Sequence, residues 1–568
     1  MERFEDMSAS TPKKNSFFGG AGILTAGIII VKLIGALYKI PLGNILTDAA
    51  FSDFNTAYNI YSLLIVISTG GLPVALSKMV SEANVVGRRN QVNKVFSLAL
   101  AAFCVLGTVS FCVMAFFPEQ LADVMRDSQA AYSILALAPA VFFICPMSAM
   151  RGYFQGHALM TPTAVSQIIE ALCKLTVGLA LAAAFQKAWG NEAISAAGAI
   201  LGVSVGCLLG AVYMYLCYRR HSRSLPAGND EPEASRDILV TLAKLAIPIT
   251  LGSSVIALTS ILDARILLGQ LQDALGYEEA VAREMKGVYD KAMTLYNLPA
   301  SFMVPLTASV IPHVSAALKM NRRRQGAQIS ETALRTTALL AIPAGMGLYV
   351  LGEPIIRLLY STTDVAEGGW MLSVLGLASI SVCFMLICNS ILQAHQIVTL
   401  PMVTTVIGSI LKLIVAWFLI GNPDIGVRGG AISTAVCFWL IALLDLFIIK
   451  YALPRSLSLG RVFIKPAAAS VAMGLSAWAV YGLSSRALVA LDLFHKIEGT
   501  YKPGPFVNLL EDGTKVLSGL GNAVGVMAAI GVAVVVYAAL ILLTRAISKE
   551  DLALMPKGDK IARLLRIQ

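Results

Sequence analysis

Fourteen stretches of the chain are apolar enough and long enough to cross a bilayer, whose hydrocarbon core takes about 20 helical residues to span. They begin near Phe17, Thr56, Val92, Tyr132, Thr163, Ile194, Ile238, Tyr289, Thr332, Gly369, Leu400, Arg428, Phe463 and Ala523, and most of the charge sits in the short connections between them. The pattern predicts an all-α integral membrane protein of about 14 transmembrane helices. The polar opening MERFEDMSASTPKKNS is too acidic for a signal peptide, so the first apolar run is expected to stay in the protein. Outer loop 484–518, containing KIEGTYKPGPF, reads as an ordered or strand-like excursion rather than a catalytic domain.

A longer period lies over this pattern. GYFQGHALMT (Gly152 to Thr161) is followed 238 residues later by SILQAHQIVT (Ser390 to Thr399), matching Gln155 with Gln393, His157 with His395 and Thr161 with Thr399. The register continues into the next helix, pairing Val165 with Val403, Ile169 with Ile407 and Lys174 with Lys412. We read an ancestral duplication. Six helices per unit is an even number, so both units enter from one face and are expected to be related by a pseudo-two-fold axis along the membrane normal. The expected layout is a tail over 1–16, an N-lobe of helices 1–6 over 17–218 and a linker over 219–237. A C-lobe of helices 7–12 over 238–452 follows, then helices 13 and 14 with the outer loop over 453–545, and a tail over 546–568.

Composition agrees and excludes other classes. Hydrophobic residues make up 57% of the chain and charged residues 14%, against about 25% charged in soluble domains. The net charge of +10 would suggest nucleic acid in a soluble protein. Here Lys and Arg are about twice as frequent in the inner connections and tails as in the outer ones, which is the orientation signal of a membrane protein with both termini cytoplasmic. No nucleic-acid partner is expected. The nine cysteines fall in or beside apolar runs without a CxxC pair, and read as small packing residues. With no GxxxxGK[ST] or HExxH motif, neither nucleotide-driven export, a metal site nor an enzyme is expected.

Chemistry is therefore sought in the charges buried within spans, each costing about 2.5–3.5 kcal/mol at a helix centre. Lys32 lies near the centre of helix 1, and Lys39 follows seven residues later on the same face near its outer end. In helix 5, Gln167, Glu170 and Lys174 share a face. Either Glu170 and Lys174 neutralise one another, or the stripe faces an aqueous cavity. Lys412 and Asp445 are deep in the second lobe, where interhelical pairing and a ligand role are both open. Asp263 and Arg265 are read at the outer end of helix 7, and Tyr289, Asp290 and Lys291 at the start of helix 8. Gly70, Gly71 and Pro73 could let helix 2 bend, a fixed kink being the plainer reading.

Several segments resemble one family: KLIGALYKIPLGNIL (Lys32 to Leu46), AYNIYSLLIVISTGGLPVALSKMVSEAN (Ala57 to Asn84), RGYFQG (Arg151 to Gly156), SQIIEALCKL (Ser166 to Leu175) and YDKAMTLYNLPASFMVPLTASVIPHVSAAL (Tyr289 to Leu318). They are similar to the Gram-positive lipid II flippases and their stage V sporulation protein B paralogues, within the multidrug, oligosaccharidyl-lipid and polysaccharide exporter superfamily. The resemblance implies two lobes around a cationic cavity, with helices 13 and 14 taking a polyprenyl tail. Lys32 and Lys39 then fall at or beside the family's pyrophosphate-binding arginines in helix 1, and Lys291 is the looser match in helix 8, while Lys174 stays a cavity candidate on the helix 5 stripe alone. The paired arginines of helix 2 are missing.

The expected function is a flippase in the bacterial cytoplasmic membrane that moves a polyprenyl-diphosphate-linked saccharide, lipid II foremost, from the inner to the outer leaflet. Alternating access would be driven by an ion gradient or the membrane potential without a cofactor. Gln167, Glu170, Asp263, Arg265, Lys412 and Asp445 are the cavity-polar or coupling candidates. Expected partners are the lipid-linked substrate, membrane lipids and cell-wall synthesis proteins, with the chain itself monomeric. A multidrug or small-solute antiporter would instead favour acidic cavity residues, and a non-transporting scaffold would have no use for deep charge.

Overall fold

The computed structural model describes residues 14–224, 228–361, 363–452, 459–491, 496–497, 500–501, 505–509 and 515–544. The expected tails therefore lie largely outside the described residues. Fourteen helices among those described are long and apolar enough to cross a membrane. The chain forms two compact units: residues 14–38, 56–123 and 128–258 in unit 1, and residues 39–55, 124–127 and 259–544 in unit 2. The chain thus passes from one unit to the other inside helices α1 (Lys14–Ile45) and α2 (Asp48–Thr69).

Unit 1 continues with α3 (Leu72–Val85), α4 (Arg89–Phe116) and α6 (Ala130–Gly156); the short α5 (Pro118–Val124) ends at the unit boundary. Helices α7 (Thr161–Cys173), α8 (Leu179–Trp189) and α9 (Glu192–Ser224) complete its sequence up to α10 (Ser235–Gly269), which leads into unit 2. Unit 2 then holds α11 (Glu279–Lys319), α12 (Arg323–Val350), the short α13 (Gly352–Leu359), α14 (Val365–Ala394), α15 (Thr399–Ile420), α16 (Arg428–Ala452), α17 (Leu459–Leu491) and α18 (Gly519–Leu543). The expected strand-like excursion contains two small antiparallel hairpins, β1 (Lys496–Ile497) with β2 (Thr500–Tyr501), and β3 (Val507–Leu509) with β4 (Lys515–Leu517). All nine cysteines are free.

Several helices start earlier than their apolar runs, because amphipathic turns continue the hydrogen-bonded ladder past the lipid-compatible segment. Helix α11 starts at Glu279, so Tyr289, Asp290 and Lys291 are interior and buried or half-buried rather than interfacial. Helix α10 runs to Gly269 and continues as a π-helical turn over Gln270–Ala274, which places Asp263 inside the helix and buried. Helix 2 of the sequence is two pieces, interrupted at Gly70 and Gly71 with Pro73 in the first turn of α3. The break is packed tight. A Cβ on Gly71 would lie 2.1 Å from the Ala246 carbonyl oxygen of α10, and the Gly71 N–H donates to Thr250 Oγ1 at 3.0 Å.

The duplication is visible in the backbone. Helix α6 ends with His157 as C-cap and Ala158 at φ 58°, and α14 ends with His395 as C-cap and Gln396 at φ 64°. Leu159 N–H donates to the Phe154 carbonyl and Ile397 N–H to the Leu392 carbonyl, each at 2.9 Å, so both ends close with the same wide turn. The equivalent helices α6 and α14 are also the two most buried spans among the described residues, 61% and 78% of their apolar windows. Around α14 the core includes Cys383, Ile387 and Ile391 with Val310, Leu334 and Ala442 of neighbouring helices.

The two turns differ in their surroundings. His157 packs against His221 of α9 at 5.2 Å between ring centroids and against Tyr153 at 4.4 Å. Burial pushes its pKa from 6.5 down to about 4, with His221 and Arg89 adding to the shift. An unfolded chain binds this proton below about 6.5 and the folded one only near 4. The linked stability is therefore present above pH 6.5 and is lost as pH falls through that window. Thermal unfolding of His157→Gln in detergent is expected to lose less between pH 7 and pH 5 than the parent protein.

Candidate functional site

In unit 1, Lys32 lies within about 4 Å of the centre of α1 at 1.5 Å per residue. It is exposed and forms no ion pair among the described residues, with Tyr58 of α2 close enough to interact electrostatically. Lys174 approaches the same tyrosine. Its Nζ is 4.5 Å from the Tyr58 ring centroid and 4.9 Å from that of Tyr38 on α1, a cation–π cradle on two sides. Tyr38 is fixed by donating its hydroxyl to the Ala199 carbonyl at 3.2 Å.

Glu170 and Lys174 do not pair. Glu170 forms an ion pair with Arg151 of α6, whose Nε donates to Ser166 Oγ at 3.0 Å. Lys174 also begins a π-helical turn, Lys174–Gly178, while its own N–H still donates to the Glu170 carbonyl as in an ordinary α-helix. The turn is accommodated by glycine: a Cβ on Gly202 of α9 would lie 2.4 Å from the Gly178 nitrogen. Gln167 on the same helix is half-buried. The face thus presents Lys32, Lys174 and tyrosine rings, while its acid is neutralised by an arginine.

The stripe on α1 is divided between the units. Lys39 belongs to unit 2, where its Nζ donates to Asn55 Oδ1 at 3.3 Å. Lys291 is fully buried, 2.7 Å from Asp48 Oδ1, and donates to Thr363 Oγ1 at 2.8 Å. Thr363 in turn donates to Asp48, so Lys291 is a neutralised structural cation and not a charge facing a cavity. Lys412 pairs with Asp263 of α10 at 2.7 Å. Asp445 is buried and accepts from Thr404 at 2.7 Å through Oδ1, while its Oδ2 has no hydrogen-bond partner among the described residues. Arg265 is half-buried.

One cluster escapes sequence reasoning. Arg283 of α11 makes a two-pronged pair with Asp53 of α2, 2.8 Å from Nε to Oδ1 and 2.7 Å from Nη2 to Oδ2, and Asp127 Oδ1 stands 3.4 Å from the same Nε. A turn away, Lys286 pairs with Asp290 at 2.7 Å and reaches Ser52. The polar start of α2, with Asp48, Ser52, Asp53 and Asn55, was the available signal. These residues precede the apolar run and look like a loop until α11 is known to extend over them.

Among the described residues no three His, Cys, Asp or Glu side chains gather as metal ligands. The site's capacity is electrostatic: amines in a membrane span can receive an anionic group, and the tyrosine faces hold one of those amines in place.

Comparison with known proteins fits this chemistry. Stage V sporulation protein B of Bacillus subtilis (strain 168) is 24% identical over 450 residues, covering 78% of this chain and 86% of the relative. The lipid II flippase MurJ of the same organism is 25% identical over 418 residues, covering 70% and 76%. Among solved structures, lipid II flippase MurJ in an inward closed conformation superposes with a TM-score of 0.66 at 15% identity, over 91% of this chain and 98% of that one. An inward-facing multidrug resistance MATE family transporter of the MOP superfamily gives 0.61 at 14% identity, over 75% and 98%. The MatE family matches residues 287–418. The polysaccharide biosynthesis protein family matches residues 17–318, more than half of the sequence, and the chain belongs to that family.

Proposed function

We propose that the protein flips a polyprenyl-diphosphate-linked saccharide, lipid II foremost, from the inner to the outer leaflet by alternating access. The observation that carries the reading is Lys32, an exposed amine at mid-membrane depth that forms no ion pair among the described residues. A sugar diphosphate cannot cross hydrocarbon with its charge bare, whereas its tail can remain in lipid. Lys32 supplies the compensating charge, and Lys174 in its tyrosine cradle supplies a second. The named relatives that are flippases or transporters of this superfamily support the same class of activity.

Orientation follows from the Lys and Arg distribution, with both termini cytoplasmic. The driving force is an ion gradient or the membrane potential. Asp445, buried in α16 with one oxygen lacking a hydrogen-bond partner, is the carboxyl best placed to respond to it. A multidrug antiporter is the second reading on fold grounds, but the acid on the unit 1 site is neutralised by Arg151, leaving no uncompensated carboxylate there to attract a cationic drug.

The test is reconstitution of the full chain in liposomes carrying lipid II in the inner leaflet, with headgroup appearance outside followed by an impermeant reagent. Protein-dependent appearance is expected. Its absence in active preparations, together with efflux of cationic dyes, would transfer the assignment to the antiporter.

A further inference from the structure

Unit 2 contains a cavity of about 530 Å³, within the range of about 300–1,000 Å³ common for small-molecule sites. Its walls come from four helices: Ile342 of α12, Phe384 of α14, Trp439 and Leu443 of α16, and Phe463 of α17. All are apolar. The one charged residue in the lining is Lys450, near the end of α16. Trp439 and Leu443 remain 40% and 57% exposed, so the cavity is a groove open along its side and not a sealed void.

Its length has a physical meaning. From Trp439 to Lys450 along α16 is 11 residues, about 16 Å at 1.5 Å per residue, which is close to half of the roughly 30 Å hydrocarbon core. The groove therefore runs from mid-membrane to one interface, the depth of a single leaflet. Lys450 marks the interfacial end, is exposed, and forms no ion pair among the described residues. An occupant must be a hydrocarbon chain of one leaflet's length with a negative group at its end.

We propose that this groove binds an anionic phospholipid, its acyl chain against Trp439 and Leu443 and its phosphate on Lys450. On the orientation proposed above, the lipid comes from the inner leaflet. The groove is separate from the transport residues: neither Lys32 nor Lys174 lines it, and no α18 residue is among its lining. A polyprenyl tail long enough to cross the whole bilayer would overrun a groove of this depth, and a zwitterionic lipid offers Lys450 no net charge.

The experiment is native mass spectrometry of the purified full chain released from nanodiscs of equimolar phosphatidylglycerol and phosphatidylcholine with matched acyl chains. The first retained lipid is expected to be phosphatidylglycerol by about fivefold, the worth of one interfacial cation. Lys450→Gln is expected to bring the ratio close to one. Leu443→Trp, which fills the groove while leaving the amine, is expected to reduce retention of both lipids. Equal retention of the two lipids by the parent chain, or an unchanged preference in Lys450→Gln, would overturn the proposal. So would displacement of phosphatidylglycerol by added undecaprenyl phosphate, which would give the groove to the substrate. Lipid retention is read without transport, so a failure here leaves the flippase reading standing, and a failure to flip lipid II leaves the groove standing.

Discussion

Arg283→Ala is expected to destabilise the protein by about 3–5 kcal/mol, the cost of breaking a buried ion pair by removing one partner. Asp53 and Asp127 are both fully buried, and the guanidinium lies between them. Without it, two carboxylates face each other out of water. Apparent melting of the detergent-solubilised protein should fall sharply and expression with it. Arg283→Lys should recover part of the loss, because an ammonium keeps the charge but not the two parallel hydrogen bonds to Asp53. Asp127→Asn should cost less than Arg283→Ala, since the two-pronged pair survives. The double substitution Arg283→Leu with Asp53→Leu should be milder than the sum of its parts, as only Asp127 is then left facing a lost partner. A loss below about 1 kcal/mol for Arg283→Ala would place the cluster among solvated surface pairs.

What the sequence made legible was whatever depends on runs and repeats. The helix count follows from apolar length, and the turn equivalence of His157 with His395 follows from local identities that recur at fixed separation. The Lys174 and Lys412 match survives as a matching position but not as matching surroundings. Lys174 meets tyrosine rings, and Lys412 meets Asp263. Pairing between distant elements leaves no local trace, so Glu170 looked like a partner for Lys174 when its real partner was Arg151, on the preceding span. The start of α11 was hidden for a related reason. Glu279 to Val288 contains Arg283, Glu284 and Lys286, which hydropathy scores as a loop although Arg283 and Lys286 are buried against α2.

Division of α1 between units gives Lys32 and Lys39 different duties. Lys39 is held to Asn55 within unit 2, near a polar framework that includes Asp48, Lys291 and Thr363. Lys32, seven residues earlier, remains with unit 1 beside Tyr58.

Lys32→Ala is accordingly expected to separate stability from activity. Arg283, Lys291 and Lys412 each neutralise a carboxylate, so their removal exposes a buried partner, whereas Lys32 has no such partner among the described residues. Its removal also relieves an insertion cost of about 2.5–3.5 kcal/mol at the helix centre. The variant should therefore melt at or above the parent temperature. Transport should nonetheless fall by about 10- to 100-fold, the value of one charged hydrogen bond of about 1.5–3 kcal/mol to a diphosphate. Lys32→Arg should retain most of the flux and Lys32→Gln little, because the charge and not the chain length is what the headgroup needs. The measurement is lipid II flipping in liposomes beside apparent melting of the same preparations, with complementation of a flippase-depleted strain as the cellular check. Full transport by Lys32→Ala at normal expression would show that the headgroup crosses without this amine and would remove the main support for an anionic substrate.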